Sequence, residues 1–365
     1  MVAHPQGPVL SDAGAVRLLR RMVEIPSPSY QEAALAEFLA GQLSELGFTA
    51  EVDAAGNVVG ELVAGAGPTV MLLGHLDTVA GHIPVREQDG RLYGRGSVDA
   101  KAPLATLICA AARGGFAGRM VVVGAVEEET PLSRGALHIL ANHPQPDALI
   151  IGEPSGWHTV VLGYKGKLDY RYRASSAATH PTNPVPKASE LAADCWRRSC
   201  ELLGPAASHA RFDQPGPTLV SIAGGLTTAT AEISIRTPLG FDPEAFLTAL
   251  RAAVAGGEIE LINYVQACRV GRNDPVVRTL TAAIRQAGSV PTAKVKTATS
   301  DMNVLAEQWH IPMATYGPGD SVLDHSENEH VVIAEFLAGI RVLSTALAEL
   351  CSTLPQLSAA TGGQR

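Results

Sequence analysis

Cysteine is scarce in this chain of 365 residues. Its five cysteines, Cys109, Cys195, Cys200, Cys268 and Cys351, include no pair at Cys-x-x-Cys spacing. That excludes a thiolate zinc site and a small disulfide framework. Unpaired thiols suit a reducing compartment, so a cytoplasmic protein is expected. Positive charge is not in excess: 28 Lys and Arg against 36 Asp and Glu leave a net charge of −8. A general nucleic-acid binder carries the opposite sign. No apolar run reaches the roughly 18 residues of a membrane span. The opening Met1-Val2-Ala3-His4-Pro5-Gln6 has neither a basic start nor an apolar signal core. Neither nucleic acid nor membrane is therefore expected as a partner. What is present is 46% hydrophobic and 18% charged residues, enough to bury a sizeable core. At about 150 residues per domain, the length suggests two domains or one with an insertion. The first residues and the tail from about Ser352 read as small, polar and mobile.

Hydrophobic patterning divides the chain into two textures. Ser11-Asp12 reads as the cap of a first helix that ends before Ile25-Pro26-Ser27-Pro28-Ser29, where proline excludes a helix interior. Residues 31–46 carry Leu35, Phe38, Leu39, Leu43 and Leu46 near helical spacing, and Gly47 ends the run. Short strands are expected at 51–52 and 57–62. Continuous apolar runs at 69–73, 120–126 and 148–151 mark strands buried on both faces, with helices at 100–112 and 133–141 between them. The alternation predicts an α/β fold with a mixed, largely parallel sheet flanked by helices.

From Lys165 the texture changes. Residues 167–174 alternate apolar and polar, the period of a half-exposed strand. A helix over 187–203, strands at 218–222 and 231–235, a helix over 243–255 and a strand at 259–267 make a small α+β unit. A helix over 274–286 and a short buried strand at 313–315 return to the first texture. The reading is a catalytic domain of residues 1–164 and 270–365 interrupted by an inserted domain of residues 165–269.

The residues able to carry chemistry recur just after the buried strands, where open α/β sheets bind ligands. Gly74-His75-Leu76-Asp77-Thr78-Val79 follows the first. In His-x-Asp on extended backbone both side chains point the same way, so Asp77 can orient the His75 ring; the plain alternative is a surface loop. Tyr93-Gly94-Arg95-Gly96-Ser97-Val98-Asp99-Ala100-Lys101 precedes a helix, where Asp99 is either a simple N-cap or a bridging carboxylate. Glu127-Glu128-Glu129 follows the second buried strand; three adjacent acids repel unless cations compensate, and the plain alternative is an exposed acidic turn. Adjacent glutamates suit a division between metal ligation and proton transfer. Gly152-Glu153-Pro154 follows the third strand, and Gly317-Pro318-Gly319-Asp320 through His325-Ser326-Glu327-Asn328-Glu329 follows the strand at 313–315. Two histidines with several carboxylates form a mixed N/O set that suits borderline divalent metals such as zinc.

In order and spacing, these motifs resemble the dinuclear zinc aminoacylase and carboxypeptidase G family, which includes acetylornithine deacetylase and succinyl-diaminopimelate desuccinylase. The resemblance runs from His75 to Asn328. It implies a zinc-peptidase-like catalytic domain whose inserted domain is a lid that makes a homodimer. It implies two divalent ions per chain, zinc first and cobalt as the alternative. His75 and Glu153 would hold one, Glu129 and His325 the other, with Asp99 bridging and a cis peptide after it. Asp77 would support His75, and Glu128 would be the general base. The family's usual Asp-Glu-Glu aligns with Glu127-Glu128-Glu129, with a register slip of one residue left open because Thr130-Pro131-Leu132-Ser133 replaces the usual Gly-Ser. The lid histidine that steadies the oxyanion in the partner chain's site corresponds to His180, for which a plain loop histidine is the alternative. Arg236 matches a lid arginine that pairs with a substrate carboxylate. The usual Asn-x-Ile-Pro stretch upstream of it is replaced by Thr227-Thr228-Ala229-Thr230. Ser300, Asp301, Gly317 and Gly319 would line the substrate pocket.

A narrower resemblance lies in Arg95-Gly96-Ser97-Val98-Asp99-Ala100-Lys101, Gly152-Glu153-Pro154-Ser155-Gly156-Trp157, Gly163-Tyr164-Lys165-Gly166 and Thr299-Ser300-Asp301-Met302-Asn303. These are similar to the branch that releases lysine or ornithine from the γ-carboxyl of the C-terminal glutamate of the acidic carrier protein LysW, in lysine and arginine biosynthesis. The alternatives are a small-molecule deacylase acting on N-acetylornithine, a dipeptidase, or a non-catalytic binding protein on the same fold. A basic rim would favour the carrier, and Lys165, Lys167, Arg171, Arg173, Arg197 and Arg198 are its candidates; a solvated face is the plain reading of each.

Overall fold

The computed structural model describes residues 10–361, so the expectation for the first residues lies outside it. The chain divides into two compact units. One comprises the residues up to Leu162, Val270–Lys294 and those from Gln308; the other comprises Gly163–Arg269 and Val295–Glu307.

The first unit is built on a sheet. Its strands run Thr49–Val52, Val58–Ala64, Gly118–Ala125, Thr69–His75, Ala148–Gly152, Met313–Thr315 and Thr159–Tyr164 in spatial order. The four from Gly118–Ala125 to Met313–Thr315 are mutually parallel, and the flanking strands are antiparallel to them. The parallel strands are buried almost throughout, as their unbroken apolar runs require. The helix Lys101–Ala112 packs against this sheet and also against the helices Asp12–Glu24 and Ile333–Thr361. Covered on both sides, it is apolar nearly all round. The first helix is capped as expected, by the Ser11 Oγ accepting from the Gly14 backbone N–H at 3.1 Å.

The expected polar tail from Ser352 is corrected over its described part. The helix Ile333–Thr361 runs through it, because Leu343, Leu347, Leu350 and Leu354 recur at helical spacing and are buried. A small three-stranded sheet of Arg86–Gln88, Arg91–Tyr93 and His330–Val332 lies outside the main one, and no pattern in the sequence announced it.

The second unit is an antiparallel sheet ordered Gly216–Gly224, Thr228–Thr237, Gly166–Ser175, Glu258–Val265, with helices Ala188–Leu203 and Pro243–Ala253. Alternate residues of its central strands, including Leu168, Tyr170, Tyr172, Ala231, Ile233 and Ile235, form a core with Phe246, Leu247 and Leu250. The segment 295–307, expected in the catalytic domain, packs in this unit instead. The Asn303 amide donates to the Lys165 and Gln266 carbonyls at 3.0 and 2.8 Å, and Arg236 donates to the Thr299 hydroxyl at 3.0 Å.

Candidate active site

Three adjacent parallel strands deliver the first groups. His75 ends Thr69–His75, Glu127 to Glu129 follow Gly118–Ala125, and Glu153 follows Ala148–Gly152. The His75 Nδ1 donates to the Asp77 carbonyl at 2.8 Å, which fixes the tautomer and turns Nε2 toward the acids. That Nε2 lies 3.3 Å from Asp99 Oδ1 and 3.6 Å from Glu153 Oε1. His325, at φ +61°, enters from the loop beyond Met313–Thr315. Its Nε2 lies 2.9 Å from Glu129 Oε1 and 3.2 Å from Asp99 Oδ2. The two oxygens of Asp99 are thus divided between the two histidines. Glu128 joins a cluster with His75 and Glu129 whose ligand atoms lie within 4.8 Å of one another.

Asp99 is not a helix cap. The N-cap of Lys101–Ala112 is Ala100, without a side-chain cap bond, and the Asp99-Ala100 peptide is cis.

The acids dominate the electrostatics. Burial opposes protonation of His75, yet hydrogen bonds to Asp77 and Asp99 and the charges of Glu128 and Glu153 lift its pKa well above the ordinary imidazole value. Hydrogen bonds to Asp99 and Glu129 push His325 up to about 10. Burial raises Asp77, but its bonds with His75, Ser29 and the Glu129 N–H outweigh that and hold it below the usual range. A site that draws protons onto both imidazoles is one of negative potential, where divalent cations compete with protons. Of its three overlapping donor sets, two share Asp99: His75, Asp99, Glu153 and Asp99, Glu129, His325. They fit two borderline divalent ions sharing one carboxylate.

Buried polar contacts hold these groups in place. Asp77 is fully buried. Its Oδ1 accepts from the Glu128 N–H at 3.0 Å and stands 3.4 Å from His75 Nδ1. Its Oδ2 accepts from the Glu129 N–H at 3.0 Å and the Ser29 hydroxyl at 2.8 Å. Asp77 therefore orients the Glu128-Glu129 backbone as well as the imidazole. Glu127 sits at φ +60° and its carboxylate is held by Arg134 at 2.6 Å, a contact that separates it from its two neighbours. Gly317 packs where a Cβ would lie 2.8 Å from the Glu153 carbonyl oxygen. Its own carbonyl accepts from the Ser155 N–H and hydroxyl at 3.1 and 3.0 Å. Gly319, nearby in sequence, has φ +105°.

One contributor had no role in the sequence reading. Glu329 is fully buried and its carboxylate binds the loop that carries Asp99. The only signal was an acid in the motif that holds His325.

Arg236, Ser300 and Asp301 belong to the second unit. There Arg236 reaches Thr299, and Ser300 caps the short helix Asp301–Ala306 by accepting from the Met302 N–H at 3.2 Å. His180 is exposed in the same unit, its Nδ1 2.8 Å from the Thr182 hydroxyl. The expected basic rim is largely neutralised by the unit's own acids. Arg171 pairs with Glu232 and Glu260, Arg173 with Glu260, Lys167 with Asp169, and Arg197 and Arg198 with Asp194 and Glu201. Lys165 is buried and donates to the Ser208 carbonyl at 3.1 Å.

The fold and this cluster are those of a metal-dependent hydrolase. Residues 71–349 match the peptidase family M20/M25/M40, and the chain belongs to that family. It is 43% identical over 357 residues to a [LysW]-lysine hydrolase of Deinococcus radiodurans, covering 93% of this chain and 98% of that one. It is 35% identical to a putative [LysW]-lysine/[LysW]-ornithine hydrolase of Pyrococcus furiosus, covering 94% and 99%. Among solved structures, aminopeptidase PepT from Bacillus cereus superposes with a TM-score of 0.78 at 18% identity, covering 94% of this chain and 99% of that one. The YXEP protein of Bacillus subtilis, described as a dinuclear metal-binding peptidase from the M20 family, superposes at 0.69 and 13%, covering 94% and 99%.

Proposed function

We propose that this chain frees lysine or ornithine from the γ-carboxyl of the C-terminal glutamate of a LysW-type carrier protein, by two-metal amide hydrolysis. The observation that carries the reading is Asp99 shared between His75 and His325, in a chain 43% identical to a [LysW]-lysine hydrolase. His75 and Glu153 would hold one ion, Glu129 and His325 the other, and Asp99 both. Zinc or cobalt there would polarise the amide carbonyl and lower the pKa of water. Asp77 keeps His75 and the Glu128-Glu129 backbone oriented. Glu128 takes a proton from the attacking water on its carboxylate and returns it to the leaving amine nitrogen.

The second unit, which contains the expected inserted domain of residues 165–269, acts as lid and dimerisation domain. Its edge strand Gly216–Gly224 exposes Val220 and Ile222, an apolar edge that a second copy would cover. In the homodimer, His180 of one protomer donates to the developing oxyanion in the other. Arg236 pairs with a substrate carboxylate; Ser300 and Asp301 of the second unit, and Gly317 and Gly319 of the first, are the proposed substrate-contacting positions. The five free cysteines suit a cytoplasmic enzyme.

The test is amine release by metal-loaded enzyme from LysW carrying γ-linked lysine, from LysW carrying ornithine, and from N-acetylornithine. Release from the carrier conjugates is expected. Release from N-acetylornithine alone would move the activity to small-molecule deacylation and overturn the carrier reading.

A further inference from the structure

We infer that Glu329 is a positioning residue that pre-sets the backbone of Asp99 and ties it to the loop of His325. The inference rests on the two-metal reading above.

The chain turns from the strand Arg91–Tyr93 into the helix Lys101–Ala112 through a loop of consecutive backbone N–H groups. The Glu329 carboxylate fills that loop. Its Oε1 accepts from the Val98 and Asp99 N–H groups at 2.8 and 3.1 Å. Its Oε2 accepts from the Gly96 N–H at 3.1 Å and from Arg95 Nη1 at 2.8 Å. Two carboxylate oxygens thus serve four donors, in a side chain wholly shielded from water. Backbone N–H groups converging on an anion form a concave site of this kind.

Strand pairing delivers the carboxylate. His330–Val332 pairs antiparallel with Arg91–Tyr93, with His330 opposite Tyr93, so Glu329 stands beside the first residue of the loop. The other side of the loop is also fixed. A Cβ on Gly96, at φ +80°, would lie 2.8 Å from Thr78 Cγ2 and 3.0 Å from Lys101 Cδ. The Lys101 ammonium is anchored on the Ile25 carbonyl at 2.7 Å. The loop is therefore held by a buried carboxylate at Gly96, Val98 and Asp99, and packed against a buried lysine stem at Gly96.

The consequence for the site is geometric. The oxygens of Asp99 face His75 at 3.3 Å and His325 at 3.2 Å. A tilt of the Asp99 backbone disturbs both at once. His325 and Glu329 share one loop, so the same clamp couples the position of His325 to that of Asp99. Glu329 has no contact with the reacting atoms in this scheme; it acts through Asp99.

Glu329→Gln is nearly isosteric but offers one acceptor oxygen and turns an NH₂ against N–H donors. The assay measures metal content after desalting, metal loss to EDTA, and the rise in Tm on adding zinc, for wild type and variant. We expect a folded variant by circular dichroism that loses metal about 10–100-fold faster. Its kcat should fall by a similar factor while KM moves less than about threefold. Partners that orient ligands have effects of this size. Equal metal loss, with Tm lowered alike in the metal-free and zinc-loaded states, would mean a purely structural role and overturn the inference. A wild-type chain that binds no metal would instead overturn the two-metal reading. Hydrogen exchange on the wild type removes dependence on the variant's folding. The amides of Gly96, Val98 and Asp99 should be protected in the folded metal-free enzyme, and free exchange there would overturn the clamp.

Discussion

Asp77→Asn is the sharpest perturbation of the site, because it changes charge and one acceptor while leaving volume nearly untouched. No cavity forms, so the effect is read from hydrogen bonds alone. The carboxylate meets the Glu128 N–H and His75 on one oxygen, and the Glu129 N–H and Ser29 hydroxyl on the other. An asparagine places its NH₂ where it does least harm, on the Oδ2 side, since the Ser29 hydroxyl can rotate and accept. The Glu129 N–H then loses its acceptor in a buried place, a cost of about 1–3 kcal/mol. The Glu128 N–H and His75 keep their oxygen but lose its charge, at roughly 0.5–1 kcal/mol each. The sum is about 3 kcal/mol, which is a factor of about 10² in rate if all of it is felt in the transition state. For a unit of this size the same energy lowers Tm by about 6 °C. The assay is steady-state amine release on zinc-loaded protein with parallel thermal unfolding. A kcat within about threefold of wild type at unchanged Tm would refute the claim that Asp77 orients the Glu128-Glu129 backbone.

Other expectations follow from single residues. Glu128→Ala should retain both metals and lose at least about 10²-fold in kcat; turnover at the wild-type rate would remove Glu128 as the base. His180→Ala, at an exposed position, should leave metal content and Tm unchanged and lower kcat by about 10²-fold, and an unchanged kcat would exclude it from the mechanism. Asp274 caps the helix Pro275–Gln286, and burial raises its pKa to about 6 against the bonds it accepts from Val276, Met313 and Val277. The folded state therefore holds this proton more tightly than the unfolded one. The resulting stabilisation is complete below about pH 4 and lost as pH rises through about 6, to the extent of about 3 kcal/mol. Asp274→Asn should abolish that part of the pH dependence, so a wild-type-minus-variant Tm difference that stays flat from pH 4 to 7 would contradict the assignment.

Much of the first unit was legible because its signals are local. The runs before His75, Glu127 and Glu153 are buried on both faces, and a strand so buried announces itself by composition alone. Groups set directly after such strands fall at one end of the sheet once the strands are parallel. The clamp on Asp99 was not legible. Glu329 bonds to a backbone N–H that lies 230 residues away, through a strand of three residues too short to carry a periodic pattern. The segment 295–307 misled for a related reason: long-range bonds hold it, the Lys165 N–H to the Lys296 carbonyl at 3.1 Å and the side-chain bonds of Asn303 and Arg236, and hydrophobic period does not reveal them.

By itself the sequence determined the buried strands of the main sheet, the helices between them and the chemical groups at their ends, since periodicity, caps and adjacency act over a few residues. Only the tertiary structure decided the rest. It turned Asp99 toward two histidines, though it stood where a helix cap could stand. It assigned Asp77 to the backbone of residues 51 and 52 positions further on. It paired most of the basic residues expected at the rim with the second unit's own acids. Each of these depends on which distant groups meet in a buried place, where an unpaired polar atom is costly and only the folded chain supplies its partner.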